Sequence, residues 1–232
     1  MKVGVVILAR YSSSRLPGKA LMKINGKETL RYIVERVERV VPKNNIVIAT
    51  STQESDDPIA KFASACGVCL FRGSLQNVAE RFLQAGMEAG FDYIVRINGD
   101  NIFVDIPLLA EMIEFASHGQ YDFLSNVHKR TYPKGMSVEI VSAPYYKSQM
   151  PVINSNPSYQ EHVTNYLYEL KNNRFYFFYN QNLPEAAGIQ LALDTPEDFE
   201  RSQAIIASFA HEHWKYNLAE ILPKFKKIVE SK

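Results

Sequence analysis

The stretch from Val3 to Lys19 reads VGVVILARYSSSRLPGK. Val3 to Ala9 is an apolar run, rich in β-branched side chains and too short for an amphipathic helix, so it reads as a buried strand. It breaks into a polar loop with serines at 12, 13 and 14 and the turn pair Pro17-Gly18. The loop carries Arg10, Arg15 and Lys19 and no acid. Cations without a local counter-charge at the end of a buried strand call for an anion from elsewhere. A triphosphate matches, because an arginine fork and a lysine point charge together meet phosphate oxygens. The competing reading is a solvated basic loop.

Outward from that loop, strands and helices alternate. Leu30, Ile33, Val34, Val37, Val40 and Val41 recur at helical spacing up to Pro42. Residues 45–50, NIVIAT, form a second strand. Asp57 before Pro58 opens a short helix that ends near Gly67. Val68 to Phe71 is a third strand, and a helix follows from about Asn77, with Val78, Phe82, Leu83 and Met87 inward. Tyr93 to Ile97 is a fourth strand, leading into Asn98-Gly99-Asp100-Asn101. This alternation predicts an α/β fold, a doubly wound and mostly parallel sheet with helices on both faces. Ligands of such sheets bind beyond the carboxyl ends of the strands. The basic loop, Thr50-Ser51, Arg72 to Ser74 and Asn98 to Asn101 all fall on that edge.

The second half is less regular. Asp105 with Pro107 starts a helix to about Ser117, and 122–126 and 136–141 read as strands. Ser158-Tyr159-Gln160-Glu161 has the form of a capping box opening a helix to about Lys171. Residues 174–179, RFYFFY, read as an aromatic edge or interface strand, and Gln190 to Leu193 as a short strand before Asp194. Thr195-Pro196-Glu197-Asp198 starts a helix with a cap, a first-turn proline and first-turn acids. No repeat or linker interrupts the chain, so residues 1–232 are expected to form one domain, with about 127–188 as a smaller acceptor-facing insertion or dimer element.

The 26 basic and 25 acidic side chains nearly cancel, which argues against a general nucleic-acid or membrane-surface binder. No apolar run approaches the ~20 residues of a membrane span, and no signal-peptide pattern follows Met1-Lys2; a cytoplasmic protein is expected. Cys66 and Cys69 form a C-x-x-C, but without a second pair a tetrahedral zinc site lacks ligands, and both read as buried, reduced thiols. His211-Glu212-His213 reads as surface.

Asp100 and Asp194 each follow a predicted strand. Carboxylates from distant strands can meet on one sheet edge and hold Mg²⁺ together with phosphate oxygens. Taken singly, Asp100 suits a turn and Asp194 a helix cap. The chain has no G-x-x-x-x-G-K-[ST], no G-x-S-x-G and no H-E-x-x-H, which removes a P-loop, a nucleophile elbow and a zinc protease.

Taken together, the motifs resemble the CMP-sugar cytidylyltransferase family, most closely its spore-coat polysaccharide biosynthesis group. The likeness begins with Ala9-Arg10-x-x-x-Ser14-Arg15-Leu16-Pro17-Gly18-Lys19. It continues through VIATS at 47–51 with Asp56-Asp57, FRGS at 71–74 with Asn77, Glu80 and Arg81, and VRINGDN at 95–101. It ends with Thr131-Tyr132-Pro133, Glu139, EHVT at 161–164 and LDTPEDF at 193–199. The sequence departs from the family where Asn98-Gly99-Asp100-Asn101-Ile102-Phe103 lacks the usual proline after the aspartate. The resemblance implies a nucleotide-diphospho-sugar-transferase, Rossmann-like fold and a cytidylyltransferase that uses CTP and Mg²⁺ to activate a sugar, sugar acid or sugar phosphate, with a homodimer as the assembly. It assigns the triphosphate to Arg10, Arg15 and Lys19, with Leu8, Ala9, Asn98 and Gly99 beside it. Cytosine and ribose go to Thr50, Arg72, Ser74 and Asn77, the metal to Asp100 and Asp194, and the acceptor to Tyr132, Glu139, Glu161 and His162. Glu161 is at the same time the acid of the expected capping box. The rivals are a glycosyltransferase of similar sheet topology and a catalytically silent nucleotide-binding protein.

Overall fold

The computed structural model describes residues 1–13 and 15–230; Ser14 of the loop motif lies outside them. In it the opening apolar run becomes β1 (Val3–Leu8), with Val5, Val6 and Ile7 fully buried. A small ribbon of β2 (Lys23–Ile24) and β3 (Lys27–Glu28) follows the basic loop. β1 has a parallel neighbour on each side, β4 (Ile46–Ser51) and β6 (Tyr93–Asn98). β5 (Cys69–Gly73) continues the sheet beyond β4. Beyond β6 lie β8 (Glu139–Ser142), β7 (Phe123–Ser125) and β9 (Phe175–Phe177), and the order is β5-β4-β1-β6-β8-β7-β9. Only β8 runs against the other strands of this sheet.

Helices cover both faces. α1 (Thr29–Val37), α2 (Asp57–Cys66), α4 (Ile106–Ser117), α7 (Pro196–Ala207) and α8 (Leu218–Glu230) pack one core layer. α3 (Val78–Glu88), α5 (Ala143–Ile153) and the short α6 (Pro157–Glu161) cover the other. The chain leaves β1 toward β4 and β5 and returns to β6 on the opposite side. The switch in strand order therefore lies between β1 and β6, where the loops that leave the two strands part and open a crevice. Gly99 sits at its base: its N–H bonds Leu8 O at 2.8 Å, and an added Cβ would stand 2.9 Å from both Leu8 O and Ala9 Cβ. Only glycine lets the two strand ends approach this closely.

The doubly wound, mostly parallel sheet is as the alternation predicted, and several local expectations are corrected. No single helix runs from 158 to 171. Asn156, not Ser158, caps α6, with Pro157 in its first turn; Val163 at φ 42° breaks the path, and a separate 3₁₀ segment, Asn165–Glu169, follows. Gln190 makes an isolated bridge to Lys134 rather than opening a strand. Cys66 is buried but Cys69 is exposed, because β5 is an edge strand whose first two residues face outward. Met87 points out of α3 at 43 % exposure. His213 is buried rather than on the surface: its Nε2 lies 2.7 Å from Glu35 Oε2 and its ring packs edge-on against Tyr32. α5 and α8 lie outside the expected helices, although each has a start signal: Ser142 with Pro144 opens α5, and before α8 Asn217 Oδ1 accepts from Ala219 N while Glu220 Oε2 accepts from Asn217 N, both at 2.9 Å. α8 is anchored through side chains that periodicity does not single out. Fully buried Arg36 donates from Nε to Val104 O at 2.7 Å and from its other nitrogens to the carbonyls of His213 and Tyr216. Asp105 caps α4 at Leu108 N and also takes Leu218 N, the first residue of α8, at 2.6 Å.

Candidate active site

The basic loop is fastened before it reaches the crevice. Tyr11 N donates to Asp56 Oδ1 at 2.7 Å, and Gly18 N closes the loop onto Tyr11 O at 2.9 Å. Gly18 takes φ 72°, the left-handed turn that Pro17-Gly18 signals. Asp56 is fully buried. Burial pushes its carboxyl up, but hydrogen bonds from Ser51 and from the Tyr11 and Ser51 amides outweigh this and hold it below the usual carboxylate range. It therefore anchors the loop as an acceptor.

The loop cations turn to acids on other segments. Arg10 Nη2 meets Glu161 Oε1 at 2.9 Å, and Arg15 Nη2 meets Asp194 Oδ1 at 2.9 Å. Lys19 Nζ lies 2.8 Å from Asp100 Oδ2, 3.4 Å from Asp194 Oδ1 and 2.7 Å from Leu193 O. Leu193 N bonds back to Asp100 O at 3.1 Å, which ties the two carboxylate-bearing segments together. The local sequence thus leaves the loop without counter-charge, while the fold supplies it from Asp100, Glu161 and Asp194. Arg10 is half-exposed and Arg15 exposed in these pairs, whereas the Lys19 side chain is only 16 % exposed. The outer pairs are weak and exchangeable.

These residues surround a cavity of about 320 Å³ at the β1/β6 switch point. Among the residues singled out in the sequence, Leu8, Ala9, Arg10, Arg15, Lys19, Asn98, Gly99, Asp100, Glu161, His162 and Asp194 line it. Thr50, Arg72, Ser74 and Asn77 stand outside the lining. Thr50 is fully buried. Arg72 clamps the β4 exit, with Nε on Ser51 O, Nη2 on Gln53 O and Nη1 on Asp57 at 2.7 Å. Ser74 Oγ accepts from Asn77 N, and Asn77 caps α3 at Glu80 N. On the acceptor side, Tyr132 packs against the α4 core layer. Its hydroxyl is pushed up to about 12 by burial and by the charges of Glu111 and Asp105. Glu139 is 2 % exposed and sits behind the wall. Glu161 reaches the cavity because it ends α6 rather than serving as a capping acid.

Ser13, Ala20, Val78 and Arg96 complete the lining, and none of them was singled out as a site residue. Val78 reads as an ordinary apolar position of α3. Arg96 sits inside the VRINGDN motif, yet within a strand a single arginine looks like any solvent-facing residue. The signal was its position two residues before the loop, on the strand beside the switch point.

The chemistry of the donor set fits a divalent cation. One ammonium already lies between Asp100 and Asp194, so both carboxylates converge on a single cationic position. Among the described residues no group of three or more His, Cys, Asp or Glu side chains forms a closed metal cage. Two carboxylates with the remaining positions open to water and phosphate is the arrangement Mg²⁺ takes in nucleotide sites.

Comparison with known proteins agrees with this geometry. A family model described as "Cytidylyltransferase" matches residues 4–222. An uncharacterized protein of Methanocaldococcus jannaschii is 34% identical over 203 residues, covering 86% of this chain and 81% of its own. Spore coat polysaccharide biosynthesis protein SpsF of Bacillus subtilis is 34% identical over 209 residues, covering 86% of this chain and 84% of its own. A cytidylyltransferase structure from Leptospira borgpetersenii superimposes with a TM-score of 0.88 at 29% identity, covering 99% of this chain and 96% of that one. A CMP:2-keto-3-deoxy-manno-octonic acid synthetase solved with CTP shares the fold, with a TM-score of 0.65 at 17% identity over 89% and 99% of the two chains.

Proposed function

The chain belongs to the cytidylyltransferase family, and from that premise we propose that its cavity joins CTP to a sugar-type acceptor with release of pyrophosphate. An acceptor oxygen attacks the α-phosphorus in line with the leaving pyrophosphate. Such a transfer asks the protein for positioning and charge neutralisation rather than covalent chemistry. Lys19, the least exposed of the loop cations, stabilises charge that builds on the α-phosphate oxygens. Arg10 and Arg15 exchange Glu161 and Asp194 for the β- and γ-phosphates. Asp100 and Asp194 would hold Mg²⁺, which supplies further positive charge to the phosphate oxygens when bound. Once Arg10 turns to phosphate, Glu161 is released beside His162 to meet hydroxyls of the acceptor.

The observation that carries this reading is the convergence of Arg10, Arg15 and Lys19 with Asp100 and Asp194 on one cavity at the switch point. A glycosyltransferase of the same topology would carry Asp-x-Asp at its metal. Here Asp100-Asn101-Ile102 puts a buried isoleucine where the second aspartate would stand. The name of the Bacillus subtilis relative supports placing the product in surface polysaccharide or glycoconjugate assembly. No helix among the described residues is long and apolar enough to cross a membrane. We further assign residues 1–232 to one domain, with about 127–188 facing the acceptor or a second copy of the chain. The testing experiment is pyrophosphate release from each nucleoside triphosphate across sugar acids and sugar phosphates. CTP with one acceptor class should give turnover, and release that is equal for all four nucleotides would refute the assignment.

A further inference from the structure

Arg96 is the cavity-lining arginine left without a role toward the nucleotide. It projects from β6 on the face covered by α3 and α5, as its register partner Val6 does. Its other register partner is Glu139 of β8, which takes Arg96 Nη1. Glu139 is itself saturated: Oε1 also accepts from Thr164 Oγ1 at 2.8 Å and from Tyr168 Oη at 2.5 Å. Glu139 therefore orients Arg96 and has no lone pair turned to a ligand at that oxygen. The guanidinium, in contrast, is held at one corner only. Among the described residues its Nε is buried without a partner, and its Nη2 makes no hydrogen bond and is not sealed from the cavity. A guanidinium offers five donors in a rigid fork. One fixed by a buried carboxylate, with donors left over at the wall of a polar cavity, is preorganised to bind an anion.

Arg10, Arg15 and Lys19 already match the charges of a triphosphate. Arg96 on the β8 side, a fourth cation in the lining, keeps donors that Glu139 does not take, and these are left for the second substrate. We propose that Arg96 is a specificity-determining anchor that takes a carboxylate or phosphate group of the acceptor and selects anionic over neutral sugars. This rests on the reading of the cavity as the shared site of nucleotide and acceptor.

The test is calorimetric titration of the whole protein saturated with CMP and Mg²⁺. Two carboxylates, 3-deoxy-manno-octulosonate and N-acetylneuraminate, are compared with their methyl esters, and glucose 1-phosphate with glucose. The wild-type protein should bind at least one anionic compound about tenfold or more tightly than its neutral counterpart, the scale of a charge-assisted hydrogen bond. The carboxylate and phosphate arms identify which anion it is. Arg96→Lys keeps a cation beside Glu139, and with it the fold, but loses the fork. It should abolish most of that preference while leaving the neutral compounds and CTP within about twofold. Arg96→Met, with its fold checked by circular dichroism, should abolish the preference completely. The proposal is overturned if the wild-type protein shows no anion preference, if the preference survives both substitutions, or if charged and neutral compounds are lost together. Pyrophosphate release in the same samples reads the reaction separately. An anion preference that depends on Arg96, without pyrophosphate from CTP, supports the anchor and overturns the catalytic assignment.

Discussion

Replacing Lys19 by alanine removes an ammonium that three oxygens share: Asp100 Oδ2, Asp194 Oδ1 and Leu193 O. The two carboxylate oxygens cannot lie farther apart than the sum of their distances to Nζ. At such a separation, and at the effective dielectric of a partly exposed site, their repulsion is about 1–3 kcal/mol. Lys19→Ala should therefore melt several degrees below the wild-type protein in metal-free buffer, at about 2–4 °C per kcal/mol for a chain of this size. Mg²⁺ should restore most of the difference, because it replaces the lost charge between the same carboxylates. Activity should not be restored. The loss in kcat should be about two orders of magnitude or more, the scale for removing one well-placed charge stabiliser, with a smaller change in CTP affinity. Arg10→Ala should instead raise the KM for CTP, since its fork is assigned to ground-state holding of the outer phosphates. The assays are differential scanning fluorimetry with and without Mg²⁺, CTP calorimetry and steady-state pyrophosphate release. A Lys19→Ala protein with near-normal kcat, or one whose stability is indifferent to both the substitution and Mg²⁺, refutes the reasoning.

Asp100→Asn keeps the volume and should remove most Mg²⁺-dependent turnover while leaving the fold intact; normal turnover by that variant takes Asp100 out of the site. Arg36→Met strips three carbonyls of their buried donor and should destabilise the protein by about 3–5 kcal/mol in chemical denaturation, whereas a loss under 1 kcal/mol would mean water replaces the guanidinium. Burial holds the His213 imidazole down at about 4 against its ordinary 6.5, despite the opposing pull of Glu35. The unfolded chain then binds the proton first, so stability should fall, by at most about 3 kcal/mol, as pH drops from 6.5 toward 4. His213→Gln should flatten that part of the melting-temperature profile, and an unchanged slope would clear His213 of the effect. Tyr176 at 41 % and Tyr179 at 37 % exposure lie on and beside the edge strand β9, and a dimer through this face should appear in ultracentrifugation at micromolar concentration. Tyr176→Lys should then shift it toward monomer, and a monomeric wild-type protein would contradict the assignment.

The parallel half of the sheet was legible because its strands are short apolar runs bounded by strong turn residues, and because each helix between them carries an apolar stripe. The same logic placed Arg10, Lys19, Asp100 and Asp194 on one edge; in the fold Lys19 meets both aspartates, and Arg10, held by Glu161, lines the same cavity. What failed depends on contacts distant in the chain. Glu161 looked like a capping acid because Ser158 stands three residues before it. Asn156 and Pro157 take the cap instead, and the freed carboxylate crosses 151 positions to Arg10. His213 looked like a surface residue because no local pattern reveals Glu35, 178 positions away. Arg36 and Arg81 lie on helices where charge reads as solvent-facing, yet both are buried, Arg36 on three carbonyls and Arg81 on that of Ser74. Arg96 shares that disguise: its acid sits on the antiparallel strand β8, and the pairing of β6 with β8 cannot be read from alternation alone.

The most direct test of the central claim is the initial rate of pyrophosphate release from CTP, UTP, ATP and GTP, each with Mg²⁺, with and without the acceptor panel. The account predicts release that requires an acceptor, prefers CTP, and falls about a hundredfold or more in Lys19→Ala. Tight CTP binding with no acceptor-dependent pyrophosphate from any compound, and with Lys19→Ala changing affinity alone, would contradict it and leave a nucleotide-binding protein without turnover.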